Sequence, residues 1–111
     1  MLDKPESFKF EAIIIDINRH ILTVTLDRAE KKNAINEIMA NEIIYALKYA
    51  AENNHIRVII IQANGDTFSA GGDLKGMIEK EQISSSTVPK LGDIEEISLL
   101  LRNLNKPVIS N

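Results

Sequence analysis

Phe68-Ser69-Ala70-Gly71-Gly72-Asp73-Leu74 is the stretch whose reading decides the fold. Gly71 and Gly72 let the backbone bend where a Cβ would strain it. Asp73 is a good N-cap for a helix running from Leu74. A turn of this kind points main-chain N–H groups outward at the positive end of a helix dipole, which suits an incoming negative oxygen. Many strand–glycine–helix turns only cap a helix, so the setting matters. Just upstream, Asn64-Gly65-Asp66 signals a turn. Before it, Val58-Ile59-Ile60-Ile61 is apolar without alternation. That run reads as a strand buried on both faces, the kind found in sheets covered by helices.

Farther upstream, Ile35, Met39, Ile43, Leu47 and Ala50 recur every three to four residues. The spacing predicts a helix over 37–53, with Asn36 as its cap and Glu37 suited to the dipole of the first turn. Tyr45 and Tyr49 are expected at the boundary of its buried face. Leu22, Val24 and Leu26 alternate with Thr23 and Thr25, which predicts a strand. Phe8, Phe10, Ala12 and Ile14 alternate with Lys9 and Glu11 and run into Ile13-Ile14-Ile15, which predicts its antiparallel partner. The turn between them is placed at 16–20, and 27–36 reads as a polar loop. Downstream, a short helix is expected from Leu74 to about Lys80. Residues 81–90, with Ser84-Ser85-Ser86-Thr87 and Pro89, read as a mobile loop. Ile94, Ile97, Leu101 and Leu104 then share one helical face, with Asp93, Glu95 and Glu96 at its first turn. Asn105-Lys106-Pro107 ends that helix, and Val108-Ile109 begins another apolar strand. Strands and helices in this order belong to an α/β domain.

Composition narrows the function classes. The chain has 111 residues, 44% hydrophobic and 26% charged, enough for one globular domain with a real core. Its formal net charge of -3 gives no basic excess that would argue for nucleic acid or an anionic membrane as partner. With no cysteine there is no disulfide, thiolate nucleophile or Cys-based metal site. No apolar run reaches the length of a membrane span. Met1-Leu2-Asp3-Lys4-Pro5-Glu6 lacks the plan of a signal peptide, so a cytoplasmic location is expected.

The order of these blocks carries a resemblance. Leu26-Asp27-Arg28-Ala29-Glu30-Lys31-Lys32-Asn33-Ala34-Ile35-Asn36 is followed by the amphipathic helix, the run at 58–61 and the Gly-Gly turn. Together they resemble the enoyl-CoA hydratase/isomerase (crotonase) superfamily. The resemblance implies the N-terminal portion of a crotonase spiral of strand-strand-helix units: a single partial domain over 1–111, stopping before the second oxyanion-hole turn. It implies an acyl-CoA thioester as substrate, with coenzyme A as part of that substrate and no separate cofactor or metal. By residue-by-residue match, the backbone N–H of Ala70 is one of two oxyanion donors. Ala70, Gly71, Gly72, Asp73 and Leu74 border the CoA pocket, Ala34 lies on its other side, and Lys31 or Lys32 reaches the CoA phosphates. The second donor and the hydratases' two glutamates would lie past the strand that Val108 begins. A homo-oligomer, or pairing with a missing C-terminal half, is expected in consequence.

The implied activity is hydration or isomerisation of an enoyl-CoA. Hydrolases, decarboxylases and dehalogenases share the oxyanion hole, and a non-catalytic acyl-CoA-binding or assembly module, or an inactive fragment, is the rival reading. The remaining polar residues favour plainer roles. His20 falls in a hairpin turn and His55 in a loop, with no second metal ligand at helical spacing. Ser69 has no base partner, and Asp93, Glu95 and Glu96 read as a dipole-favoured first turn.

Overall fold

A computed structural model describes residues 1–27, 36–63 and 86–110. Four strands form one sheet in the order β1 (Ile13–Asn18), β2 (Ile21–Leu26), β3 (Val58–Ala63), β4 (Val108–Ser110). β1 and β2 are antiparallel, and β2, β3 and β4 are mutually parallel. Helix α1 (Glu37–Glu52) connects β2 to β3, and helix α2 (Glu95–Asn103) precedes β4. The expected α/β class is therefore the observed one, with a hairpin leading into strand–helix–strand crossovers.

The hairpin is tighter than its sequence suggests. β1 runs on to Asn18, which pairs with Ile21, so only Arg19 and His20 form the loop. Arg19 takes φ 58°, the left-handed conformation that a two-residue hairpin needs for its twist. At the other end β1 starts later than the alternation predicts. Residues 8–11 are not in the sheet, because Phe8 and Phe10 turn instead onto Tyr45 of α1, with ring centroids 5.3 and 5.5 Å away.

One face of the sheet makes the core. Ile13, Leu22, Val24, Leu26 and Ile59 are buried there against Met39, Ile43, Leu47 and Ala50 of α1. The register explains which residues share that face: Ile13 pairs with Leu26, and Leu22 pairs with Ile59. β3 departs from the expectation of two buried faces. Only Ile59 is fully buried, while Val58 and Ile60 on the other side remain partly accessible. α1 is more deeply enclosed than a one-sided helix, and Tyr45 and Tyr49 lie inside rather than at its boundary. The reason is the N-terminal arm, which covers the side of α1 away from the sheet. The Leu2 N–H donates to Glu52 Oε1 at 2.8 Å, and the Tyr45 hydroxyl donates to the Asp3 carbonyl. Burial pushes the Tyr45 phenol above its ordinary range, and the charges of Glu6, Asp3 and Glu52 add to the effect.

α2 also differs in detail. Its inner face is Ile97, Leu100 and Leu104, whereas Leu99 and Leu101 are exposed. Ile94 precedes the first turn, so the helix presents a face rotated from the one its apolar spacing suggests. Among the described residues no helix is long and apolar enough to cross a membrane.

Candidate functional site

Ala70, Gly71, Gly72, Asp73 and Leu74 lie outside the described residues, as do Ala34, Lys31, Lys32 and the short helix expected up to Lys80. What the structure does place is the frame from which those stretches leave and to which they return. The chain leaves β2 at Leu26 and β3 at Ala63, and these two residues are register partners on adjacent parallel strands. Neighbouring strands lie about 4.8 Å apart. Leu26 and Ala63, the last strand residues before 28–35 and 64–85, therefore lie side by side at the carboxyl ends of their strands, where open α/β folds bind ligands. One residue back, Gln62 Nε2 donates to Thr25 Oγ1 at 3.1 Å and ties the two exits together.

The described chain resumes at Asn36 and at Ser86. Stretch 28–35 returns at Asn36, which is buried and caps α1 by accepting the Met39 N–H on Oδ1 at 2.9 Å. Stretch 64–85 returns at Ser86, which lines a cleft of about 210 Å³ together with Glu37, Ile38, Asn41, Val88 and Lys90. The two resumption points are thus joined through the first turn of α1: Asn36 caps it, and Ser86 shares a cleft with Glu37.

Residues 86–90, the described part of the expected mobile loop over 81–90, and the two residues after them are fixed in place. They are held at three points. Thr87 is clamped to Lys9 by two bonds: its N–H donates to the Lys9 carbonyl at 2.9 Å, and its Oγ1 accepts the Lys9 N–H at 2.7 Å. Asn41, buried on α1, donates from Nδ2 to the Pro89 carbonyl at 2.9 Å. Its Oδ1 accepts the Leu91 and Gly92 N–H groups at 2.6 and 3.2 Å. The sequence carries a faint signal of this. Helix α1 is apolar nearly all round, so a polar residue such as Asn41 or Glu42 has little solvent to face.

Asp93 and Glu96, near the cleft, have structural partners. Asp93 pairs with Lys90 at 2.8 Å on the surface, and Glu96 Oε1 accepts the Asp93 N–H at 3.1 Å. They form the entry to α2, with Glu95 and Glu96 in its first turn as the sequence suggests. The imidazole Nδ1 of His20 lies 2.8 Å from the His55 carbonyl at the opposite end of the sheet. Among the described residues no group of three His, Asp or Glu side chains is placed to hold a metal ion.

Known proteins match this frame. The family model described as enoyl-CoA hydratase/isomerase covers residues 16–111. A trans-2-decenoyl-[acyl-carrier-protein] isomerase of Streptococcus mutans is 34% identical over 104 residues, which is 90% of this chain and 39% of that protein. A 2,3-dehydroadipyl-CoA hydratase of Escherichia coli is 31% identical over 88% of this chain and 37% of its own length. Among solved structures, an enoyl-CoA hydratase/isomerase from Pseudoalteromonas atlantica superposes with TM-score 0.74 at 25% identity, over 90% of this chain and 38% of that one. An enoyl-CoA hydratase from Mycobacterium marinum superposes with TM-score 0.72 at 32% identity, over 90% and 47%. The chain spans about two fifths of the length of the curated relatives it matches.

Proposed function

The chain belongs to the enoyl-CoA hydratase/isomerase family, and from that premise we propose that the protein hydrates or isomerises an enoyl-CoA through an enolate of the thioester. In hydration, water oxygen bonds to C3 as the water gives up one proton to a base, the π electrons move onto the thioester oxygen, and a proton then adds at C2 as the carbonyl re-forms. In isomerisation, a proton leaves one carbon, the same oxygen carries the charge, and a proton returns at another. Both routes need donors aimed at that oxygen. The backbone N–H of Ala70 is one, and such a donor is worth about 3–4 kcal/mol in the transition state. Ala70 to Leu74 border the CoA on one side and Ala34 on the other, with Lys31 or Lys32 at its phosphates.

The observation that carries this reading is the family match, which runs through both 28–35 and 64–85. The shared anchors support it: Leu26 beside Ala63, and Glu37 beside Ser86. The Streptococcus mutans relative is named for an acyl-carrier-protein substrate and the Escherichia coli relative for a CoA substrate. Both present the acyl group as a thioester, so the oxyanion role is common to the two. Assays of crotonyl-CoA beside a decenoyl-[acyl-carrier-protein] separate the carriers.

The deciding experiment compares two substitutions. Ala70→Pro removes the N–H, whereas Ala70→Ser keeps it. In a protein completed with a relative's C-terminal half, and with kcat/KM taken per folded molecule, proline lowers it by at least ~10² and serine by less than about tenfold. Equal activity of the wild type and Ala70→Pro removes the oxyanion role. A second reading, an acyl-CoA-binding module without turnover, is favoured by the partners already held by Asp93 and Glu96. It is recognised by calorimetric binding of acyl-CoA with no product formed.

A further inference from the structure

The outer edge of β1 faces a cleft of about 270 Å³ lined by Pro5, Glu6, Phe10, Ile15, Asp16 and Ile17. The phase of the hairpin ladder decides which backbone groups face that edge. The Asp27 N–H donates to the Ala12 carbonyl, one step beyond the Ile13–Leu26 pair. Bonded pairs alternate along an antiparallel ladder, so Ile14, Asp16 and Asn18 bond to β2 while Ile13, Ile15 and Ile17 turn outward. Ile13 fits this phase, because its N–H is taken by Glu42 Oε1 at 3.1 Å. Beyond the ladder, Ile15 and Ile17 have no hydrogen bond to another described residue.

We propose that this edge accepts one extended peptide segment, antiparallel to β1, with a lysine or arginine opposite Asp16. The two free residues supply four backbone groups, two N–H and two C=O, as in strand addition to a sheet edge. The charge choice comes from Asp16 and Glu6, both exposed, which make the rim of the cleft acidic. A second copy of β1 is the obvious rival, and Asp16 opposes it. The self-pairing that engages Ile15 and Ile17 of both copies sets Asp16 directly against Asp16, where like charges destabilise. Shifting that register brings in Ile13, already bonded to Glu42, or Arg19 in the hairpin loop. The edge therefore selects against itself and for a basic strand, in the way charged residues protect exposed edges elsewhere.

The test titrates the 111-residue chain with the peptide acetyl-Thr-Val-Lys-Val-Thr-amide, following the amide signals of Ile15 and Ile17 by NMR at low salt. Those two signals are expected to move together, and the glutamate-centred peptide is expected to bind about tenfold more weakly. Methylating both valine nitrogens should abolish the shifts, since it removes the donors that pair with the edge. Asp16→Asn, an exposed substitution, should reduce the preference for lysine and make the Ile15 and Ile17 signals depend on protein concentration. Equal binding of the lysine and glutamate peptides, survival of binding after N-methylation, or no shift at millimolar peptide overturns the proposal. So does concentration-dependent pairing through this edge in the wild type.

Discussion

Glu42 is the residue on which the N-terminal arm depends. Its carboxylate is fully buried and accepts three backbone N–H groups: Glu11 on Oε2 at 2.8 Å, and Ala12 and Ile13 on Oε1 at 2.8 and 3.1 Å. Bonds to a charged acceptor are stronger than neutral ones. Glu42→Gln keeps one acceptor oxygen and places an NH₂ against a donor, so it is expected to cost about 2–4 kcal/mol, read as a lowered Tm. Tyr45 gives a pH test. Its folded form holds its proton more tightly than the unfolded chain, whose phenol titrates near 10. The folded state thus binds more protons above that pH, and stability falls as pH rises further. Thermal melts from pH 9 to 11.5 should decline more steeply for the wild type than for Tyr45→Phe, which has no phenol to ionise. Neither role was legible in the sequence. The apolar surround hints only that Glu42 is enclosed, not what it serves, because the N–H groups it binds belong to a segment some thirty residues earlier in the chain.

At the scale of elements, the existence and order of strands and helices were legible, while their faces were less so. Alternation at 22–26 and the three-to-four spacing of 39–50 are strong signals, and the elements lie where they predict. For α2 the four leucines at 99, 100, 101 and 104 allow more than one face, and only packing against the core selects between them. Leu100→Ala is expected to cost roughly 1–3 kcal/mol, because Leu100 is partly buried on the core. Leu101→Lys, on the exposed side, is expected to change stability by less than about 0.5 kcal/mol. Denaturant midpoints of the two variants decide which face is inner, and the reverse order would restore the face read from the sequence. Lys106 shows how α2's exit is tied back to the core. Its Nζ donates to the Ala50 carbonyl and, at 2.8 Å, to the Asn53 carbonyl at the end of α1. Cations suit that end of a helix, although burial lowers the lysine's pKa.

At the scale of the whole molecule, the chemistry proposed for the site rests on local sequence, whereas the frame that flanks it is seen only in the structure. Phe68 to Leu74 stand out by glycine and capping chemistry alone, whereas nothing local announces that Leu26 and Ala63 are neighbours or that Asn41 fastens Pro89 to Gly92. Those contacts depend on pairing across dozens of residues. The polypeptide of 111 residues assayed alone is expected to turn over crotonyl-CoA at least ~10³ times more slowly than a complete relative. Under the proposed role, the Ala70 donor acting without the second donor and the glutamates that the resemblance places past Val108 forgoes both charge stabilisation and proton transfer. Rates within tenfold of a complete relative would mean that acids of this chain have been recruited. The pairing of Leu26 with Ala63 also constrains how such a protein can vary. One residue inserted between Val58 and Ile59 would turn Ile59 and Ile61 away from α1 and put the ladder partners that follow out of phase. An insertion between 28 and 35, or between 64 and 85, leaves that phase untouched. Descendants of this fold can therefore lengthen or shorten the segments 28–35 and 64–85 while inheriting the sheet unchanged, so the length of those segments is free to diversify even where strand length is not.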